Sequence, residues 1–151
     1  MDILEVKNLK KSFNGHAVIR DLSFQVPEHS VFGFLGENGA GKTTTMKMIL
    51  GLLQPDAGEI RIAGNRVSYG ETKTNRMIGY LPDVPEFYNY MRAKEYLKLC
   101  GEVSGLPAKK ILEKSGELLE IVGLKDVKQK IGGYSRGMKQ RLGIAQALLN
   151  E

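Results

Sequence analysis

The sequence has one cysteine, two histidines and no tryptophan in 151 residues. A lone Cys100 cannot form an internal disulfide and has no companions for a zinc site, which indicates a reducing compartment such as the cytoplasm. No apolar run approaches the roughly 20 residues that cross a bilayer, and the N-terminus lacks the apolar core of a signal peptide. Any membrane association is therefore expected to come through a partner.

The remaining composition is that of an ordinary globular domain. Hydrophobic residues make up 42% and charged residues 26% of the chain, and its length predicts about one domain with a sizeable core. The formal charge is +5, from 22 lysines and arginines against 17 acidic residues. Such a balance suits polyphosphate, nucleic acid or an acidic membrane face and does not choose among them.

One stretch carries recognisable chemistry. An apolar run at 31–35 predicts a buried strand, and the apolar pattern at 46–50 predicts a short helix. The loop between them fits the phosphate-binding pattern G-x-x-x-x-G-K-[ST]. Its residues are Gly36, Glu37, Asn38, Gly39, Ala40, Gly41, Lys42, Thr43 and Thr44.

Each residue type in this loop suits a phosphate group. Glycine lets the backbone approach an oxyanion closely, and the helix N-terminus adds free N–H donors. Lys42 supplies a mobile cation for the β- and γ-phosphates, and the hydroxyl of Thr43 can bind Mg²⁺. The alternative is an incidental glycine turn, which the flanking strand and helix disfavour.

Further strands and helices are expected on both sides of the loop. Ile3–Phe13 and Ala17–Val26 predict a hairpin around the turn pair Asn14-Gly15, and 59–63 and 77–81 predict further strands. Phe13 could stack on a nucleotide base, although its spacing alone favours a core aromatic. Helices follow from Arg92, from Pro107 and from Ser135, whose position is that of an N-cap.

Two segments after the strands are candidate binding surfaces. The stretch Pro82–Tyr90 is rich in proline and aromatic residues, which predicts a constrained loop with exposed apolar surface. The Ser-x-Gly turn at Ser135 lies among basic residues and is a second possible anion site, with a plain helix cap as the alternative.

The whole chain resembles the nucleotide-binding domain of ATP-binding cassette (ABC) transporters. The resemblance depends on the phosphate loop and on residues 134–141, which are similar to the family's signature motif and follow a helical insertion. It implies ATP and Mg²⁺ as cofactors, with Phe13 stacking on adenine. It also implies a head-to-tail dimer in which Ser135 and Gly137 of one domain contact the γ-phosphate held by the other.

Three positions depart from that family's usual pattern. Asp83 occupies the loop position where glutamine is usual, and it could still reach Mg²⁺ or a water molecule. Arg136 stands in place of a common glycine, and Met138 in place of a common glutamine. The metal ligands implied by the resemblance are thus Thr43 and Asp83.

The resemblance is greatest to the subfamily that exports antibiotics, peptides or ions. It implies a membrane permease that contacts 82–90 and the helical segment, a location on the inner face of the cell membrane, and no nucleic acid. The alternative function is a soluble nucleotide switch of the same family that acts on ribosomes or DNA.

The resulting fold prediction is an α/β phosphate-loop core with an antiparallel β flank and an inserted helical subdomain, incomplete at the C-terminus. Its expected parts are a core at 1–82, a loop and helical subdomain at 83–134, and the signature segment at 135–151. The acidic strand that carries the family's general base is expected beyond Glu151. The 151 residues are therefore expected to bind ATP, to hydrolyse it little, and to self-associate through an unpaired apolar strand.

Overall fold

The computed structural model describes residues 1–150, and these form two compact units. The first unit is Met1–Asn75, and the second covers the described residues from Arg76 onward. Glu151, just before the predicted acidic strand, lies outside the described residues. Each unit has buried side chains of its own.

The first unit is organised around an antiparallel sheet. Its strands are β1 (Asp2–Phe13), β2 (His16–Pro27), β3 (Ala57–Ile62) and β4 (Asn65–Arg66), in the order β2-β1-β3-β4. The β1–β2 hairpin predicted from the sequence is confirmed. Asn14 and Gly15 both have positive φ angles, 48° and 79°, as the tight turns that match strand twist require.

Helix α1 (Lys42–Ile49) completes the first unit's regular structure. It begins directly after Gly41 and ends at Leu50, whose N–H donates to the carbonyl of Met46 at 3.0 Å. Most buried side chains of this unit come from the strands and from α1. The buried set is Val6, Leu9, Ile19, Thr45, Met48, Ile49, Ile60, Ile62 and Thr74. The predicted helix after the phosphate loop is therefore confirmed, and its start lies within the loop motif.

The predicted strand at 31–35 is wrong. This segment has no regular structure, and the side chains of Val31 and Leu35 are almost wholly exposed. Phe32 and Phe34 instead contact the ring of Phe24, with centroids 5.3 and 5.4 Å apart. A strand needs a neighbour for its N–H and C=O groups, and no strand within residues 1–150 pairs with this segment.

Three helices form the second unit: α2 (Ala93–Val103), α3 (Ala108–Ile121) and α4 (Arg136–Ala147). Their shared core contains Ala93, Tyr96, Leu97, Leu118, Leu119, Val122, Leu124, Ile131, Tyr134, Leu142, Ala145 and Leu149. The hydroxyl of Tyr96 donates to Oε1 of Gln146 at 2.9 Å and so joins α2 to α4. Burial raises the pKa of the Tyr96 hydroxyl, because its ionised form would lose hydration in this core.

The helices agree with the sequence prediction, but two large apolar side chains on them lie at the surface. Val103 is 81% exposed and Leu112 is 61% exposed, because the apolar stripe of each helix is wider than the surface it buries. Within residues 1–150, no helix has both the length and the apolar character that crossing a membrane would need.

The predicted strand at 77–81 is also wrong. A 3-10 turn occupies Thr74–Met77, and the following residues pack against α4 instead of pairing in a sheet. A Cβ on Gly79 would collide with the carbonyl of Ala147, and one on Gly143 would collide with the Leu81 side chain. Small residues on both sides thus allow the close approach that replaces strand pairing.

Gly58 is where β3 passes closest to β1. Its φ angle is +89°, and a Cβ there would lie 2.5 Å from the carbonyl oxygens of Lys7 and Asn8. The β1–β3 register shifts in this region, between Lys7 and Lys10. The sheet therefore depends on the absence of a side chain at Gly58.

We predict that Gly58→Ala lowers the free energy of unfolding by about 2–5 kcal/mol, since strain at positive φ adds to overlap with two backbone oxygens. Gly70→Ala is the matched control, because Gly70 has φ +79° but nothing within 4 Å of its Cβ position. The control is expected to lose only about 1–2 kcal/mol. Urea unfolding measures both, and equal losses would contradict the proposed overlap.

Candidate functional site

The phosphate loop is shaped by two glycines in the left-handed region. Gly39 has φ +86° and Gly41 has φ +89°, and the N–H of Ala40 donates to the carbonyl of Glu37 at 3.1 Å. A Cβ on Gly41 would lie 3.1 Å from Cγ1 of Ile19. The loop backbone is therefore seated tightly against strand β2.

Helix α1 begins at this loop without a side-chain cap. Gly41 occupies the N-cap position, and no side chain in residues 1–150 accepts a bond from the first turn. Thr45 is the first residue whose N–H bonds within the helix, to the Gly41 carbonyl at 2.8 Å, and its buried hydroxyl donates to the same oxygen at 2.9 Å. The N–H groups of 42–44 are thus free for an anion at the positive end of the helix.

The side chain of Lys42, the one cation in the loop 36–44, folds over the loop backbone. The Lys42 ammonium donates to the carbonyl oxygen of Glu37 at 2.8 Å and also to that of Gly36. Thr43 follows it on the exposed side of the helix start. The loop thus carries an ammonium, a hydroxyl and free N–H groups, which are the donor types that suit a polyphosphate.

Phe13 is exposed at the end of strand β1 and is not a core residue. Its ring is 43% exposed, so the alternative of a core aromatic is wrong. Phe13 stands two positions beyond Lys11, which pairs in the sheet with Ile19, the residue that contacts Gly41. The exposed ring therefore belongs to the part of the hairpin that supports the phosphate loop.

Asp56 is a residue that sequence reasoning missed. Its carboxylate accepts the N–H of Ser12 at 2.7 Å and the Lys11 ammonium at 2.8 Å. The Lys11 ammonium and the Ser12 N–H hold the pKa of this carboxyl below its usual value. Because 44 residues separate Asp56 from Ser12, no local pattern could have indicated this contact.

The second unit contains the other predicted site residues. Ser135 caps α4, since its hydroxyl oxygen accepts the N–H of Met138 at 3.2 Å. The predicted cap is therefore confirmed, and whether it also serves an anion stays a prediction. Arg136 and Gly137 are both exposed in the first turn.

Asp83 is held by its backbone. Its side chain is exposed, while its carbonyl accepts a bond from Nε2 of Gln140 at 2.8 Å. Gln140 lies on α4, five positions after Ser135, and sequence reasoning did not single it out. The loop position where the family usually has glutamine is thus attached to the helix that follows the signature motif.

An exposed aromatic surface follows Asp83. Val84 is 71% exposed, Tyr88 52% and Tyr90 65%, and the two tyrosine rings lie 5.9 Å apart. Phe87 points the other way and meets Tyr96 edge-on at 5.0 Å. The exposed apolar surface predicted for 82–90 is therefore confirmed, and it is anchored from within by Phe87.

The structure places the predicted site residues in both units. Phe13 and the phosphate loop, 36–44, belong to the first unit, whereas Asp83, Ser135 and Gly137 belong to the second. Residues 1–150 contain no group of three or more His, Cys, Asp or Glu side chains that could hold a metal by themselves.

Comparisons with known proteins agree on one family. The family model described as "ABC transporter" matches residues 19–151. An uncharacterised ABC transporter ATP-binding protein of Bacillus subtilis, YxlF, is 48% identical over 99% of this chain and 49% of its own length. The bacitracin transport ATP-binding protein BcrA of Bacillus licheniformis is 40% identical over 98% of this chain and 48% of its own.

A solved structure of an ATP-binding subunit of an ABC transporter is similar with a TM-score of 0.87 and 33% identity. The similarity covers 98% of this chain and 62% of that one. The chain thus spans about half the length of the curated relatives it matches. The α/β fold with an antiparallel flank and a helical part, predicted from the sequence, is confirmed.

We predict that Ser135→Ala lowers the free energy of unfolding by about 1 kcal/mol, because the Met138 N–H loses its cap. Ser135→Asn is the matched control, since asparagine caps helices as well as serine does. Urea unfolding measures both variants. A loss from Ser135→Asn as large as that from Ser135→Ala would show that the cap is not what Ser135 supplies.

We also predict that Gln140→Glu frees the segment around Asp83, because a carboxylate cannot donate to its carbonyl. ¹⁵N relaxation is expected to show backbone order parameters at Leu81, Asp83 and Val84 falling from about 0.85 to below about 0.6. Gln140→Lys restores a donor and should restore order. Gln129→Glu adds the same charge outside this contact and should change nothing, and unchanged order in Gln140→Glu would refute the link.

Proposed function

Because the chain belongs to the ABC transporter family, we propose that it is the ATP-binding part of a transporter that exports its substrate through a separate membrane permease. ATP binding is the first step of that function, and Mg²⁺ is its companion ion. The relatives' printed names support export, since one is a bacitracin transport protein and another is a Nod factor export protein.

The phosphate loop geometry is the observation that supports the proposal most. Free N–H groups at 42–44, two left-handed glycines and the Lys42 ammonium lie around one loop. In the proposed complex the flexible Lys42 side chain exchanges the carbonyls of Gly36 and Glu37 for the β- and γ-phosphate oxygens. Phe13 then stacks on the adenine ring.

Thr43 is the proposed Mg²⁺ ligand from the loop, together with phosphate oxygens. Mg²⁺ keeps several waters and takes few protein ligands in nucleotide sites, which fits the single exposed hydroxyl at this position. Asp83 is the second proposed ligand, directly or through water. Its backbone bond to Gln140 leaves the exposed carboxylate free for that role.

We further propose that two copies of the domain pair head to tail, with Ser135 and Gly137 of one reading the γ-phosphate bound by the other. Ser135 already caps α4, so its hydroxyl can donate to phosphate while its oxygen accepts the backbone N–H. Arg136 stands in place of the usual glycine, and its cation in the same turn would add attraction for the γ-phosphate.

The exposed aromatic surface of 82–90 is the proposed contact with the permease. Exposed aromatic residues anchored by buried neighbours are typical of protein interfaces, and Val84, Tyr88 and Tyr90 have that arrangement. Association with a permease would place the protein on the inner face of the cell membrane. No side chain among the proposed site residues of 1–150 is assigned as a general base, so we expect these residues alone to bind ATP and to turn it over slowly.

We predict that Lys42→Gln weakens binding of Mg·ATP about 10- to 100-fold, because it removes a charge-assisted contact to the phosphates. Isothermal titration calorimetry measures the affinity directly. Lys47→Gln is the matched control, since Lys47 is exposed in the last turn of the same helix, and it should leave the affinity unchanged. If the unmodified, folded protein takes up no Mg·ATP, the proposed function is wrong.

A further inference from the structure

Asp56 makes three hydrogen bonds to the end of strand β1. Its carboxylate accepts the Lys11 ammonium at 2.8 Å and the Ser12 N–H at 2.7 Å, and its own N–H donates to the Lys10 carbonyl at 2.9 Å. These partners are three consecutive residues that lead directly into Phe13. A single aspartate from the turn before β3 therefore fixes the backbone that presents the exposed ring.

The Lys11 ammonium lies over the ring that Asp56 helps to place. Its distance from the centroid of Phe13 is 5.3 Å, which is within the range of cation–π attraction. The Lys11 side chain is only 13% exposed, so its ammonium is confined between the Asp56 carboxylate and the ring. One face of Phe13 is thereby taken, while the ring as a whole stays 43% exposed.

The sheet by itself does not fix this arrangement. The register between β1 and β2 shifts between Leu9 and Lys11 and again between Lys11 and Ser12. Irregular pairing leaves backbone groups without regular ladder partners, and the Asp56 carboxylate supplies one to Ser12. The orientation of Phe13 therefore depends on a contact from outside the hairpin.

We infer that Asp56 is a positioning residue for base recognition: it holds Lys11 against one face of Phe13 and so presents the opposite face to the base of the nucleotide. This inference rests on the proposed function, because the stacking ligand is the adenine of the bound ATP. A phosphate ligand without a base would gain nothing from Asp56.

The test compares ATP with inorganic triphosphate, both with Mg²⁺, by isothermal titration calorimetry. Asp56→Asn is the main variant, because Lys11 and Ser12 donate to different oxygens of the carboxylate. In asparagine one of these two positions becomes an NH₂ group, which cannot accept either bond. We expect its ATP affinity to fall about five- to tenfold, a loss comparable to one stacking interaction. Its triphosphate affinity should stay within about twofold of the original.

Three further variants complete the comparison. Phe13→Leu removes the aromatic face and should show the same selective loss for ATP. Asp21→Asn is the matched control, since it removes the same charge from an exposed residue of β2 that accepts a bond from Asn8, and it should change neither affinity. Lys11→Met removes the ammonium but keeps the bond from Ser12 to Asp56, and it replaces Asp56→Asn if that variant does not fold.

A second measurement needs no nucleotide. In NMR spectra of the free protein, the ε-methylene protons of Lys11 should show an upfield ring-current shift from Phe13. Asp56→Asn should remove this shift, and Asp21→Asn should retain it. A shift that persists in Asp56→Asn would overturn the inference whatever the protein binds.

The outcomes separate the inference from the proposed function. If Phe13→Leu loses ATP selectively and Asp56→Asn does not, the positioning role is wrong while ATP binding stands. If neither variant alters the preference for ATP over triphosphate, the ring does not stack on the base and the inference falls with it. If the unmodified protein binds neither ligand, the proposed function fails, and the NMR shift alone decides whether Asp56 holds Lys11.

Discussion

The close approach of the Gly41 backbone to strand β2 is the constraint on which the proposed nucleotide site depends. A Cβ at this position would lie within 3.1–3.3 Å of Ile19 and Val18, and the φ angle of +89° excludes most other residues in any case. This contact joins the hairpin to the start of α1. As a result, the hairpin that carries the exposed ring of Phe13 also supports the loop from which the free N–H groups of α1 project.

The two units divide the chemistry between them. The first unit holds the groups that suit a phosphate and a base. The second holds the Ser-x-Gly turn at Ser135 and the exposed aromatic surface of 82–90. In the second unit, Gln140 ties the Asp83 backbone to α4, and Gly143 and Gly79 let the preceding segment lie close to that helix. The surface proposed for the permease is thus attached to the helix that begins at Ser135.

Positions 83, 136 and 138 depart from the family pattern without disturbing the backbone around them. Position 83 is held through its carbonyl, which any residue type provides, so the aspartate there does not disturb the path of the loop. The Ser135 cap uses the serine hydroxyl oxygen and the backbone N–H of Met138. A backbone N–H is present whichever side chain stands at position 138, and the cap makes no use of the side chain at position 136. The signature turn can therefore form with Arg136 and Met138 in place.

The sequence by itself determined the features that depend on near neighbours. The hairpin turn at Asn14-Gly15, the glycines of the phosphate loop, the Ser135 cap and the helices all follow from residues within a few positions of one another.

The tertiary structure alone decided where distant residues meet. It showed that the apolar run at 31–35 forms no strand, since no partner pairs with it in residues 1–150. It also revealed the bonds from Asp56 to Ser12 and from Gln140 to Asp83, which span 44 and 57 residues. Local patterns carry no information about such pairs, because the chain folds back between them.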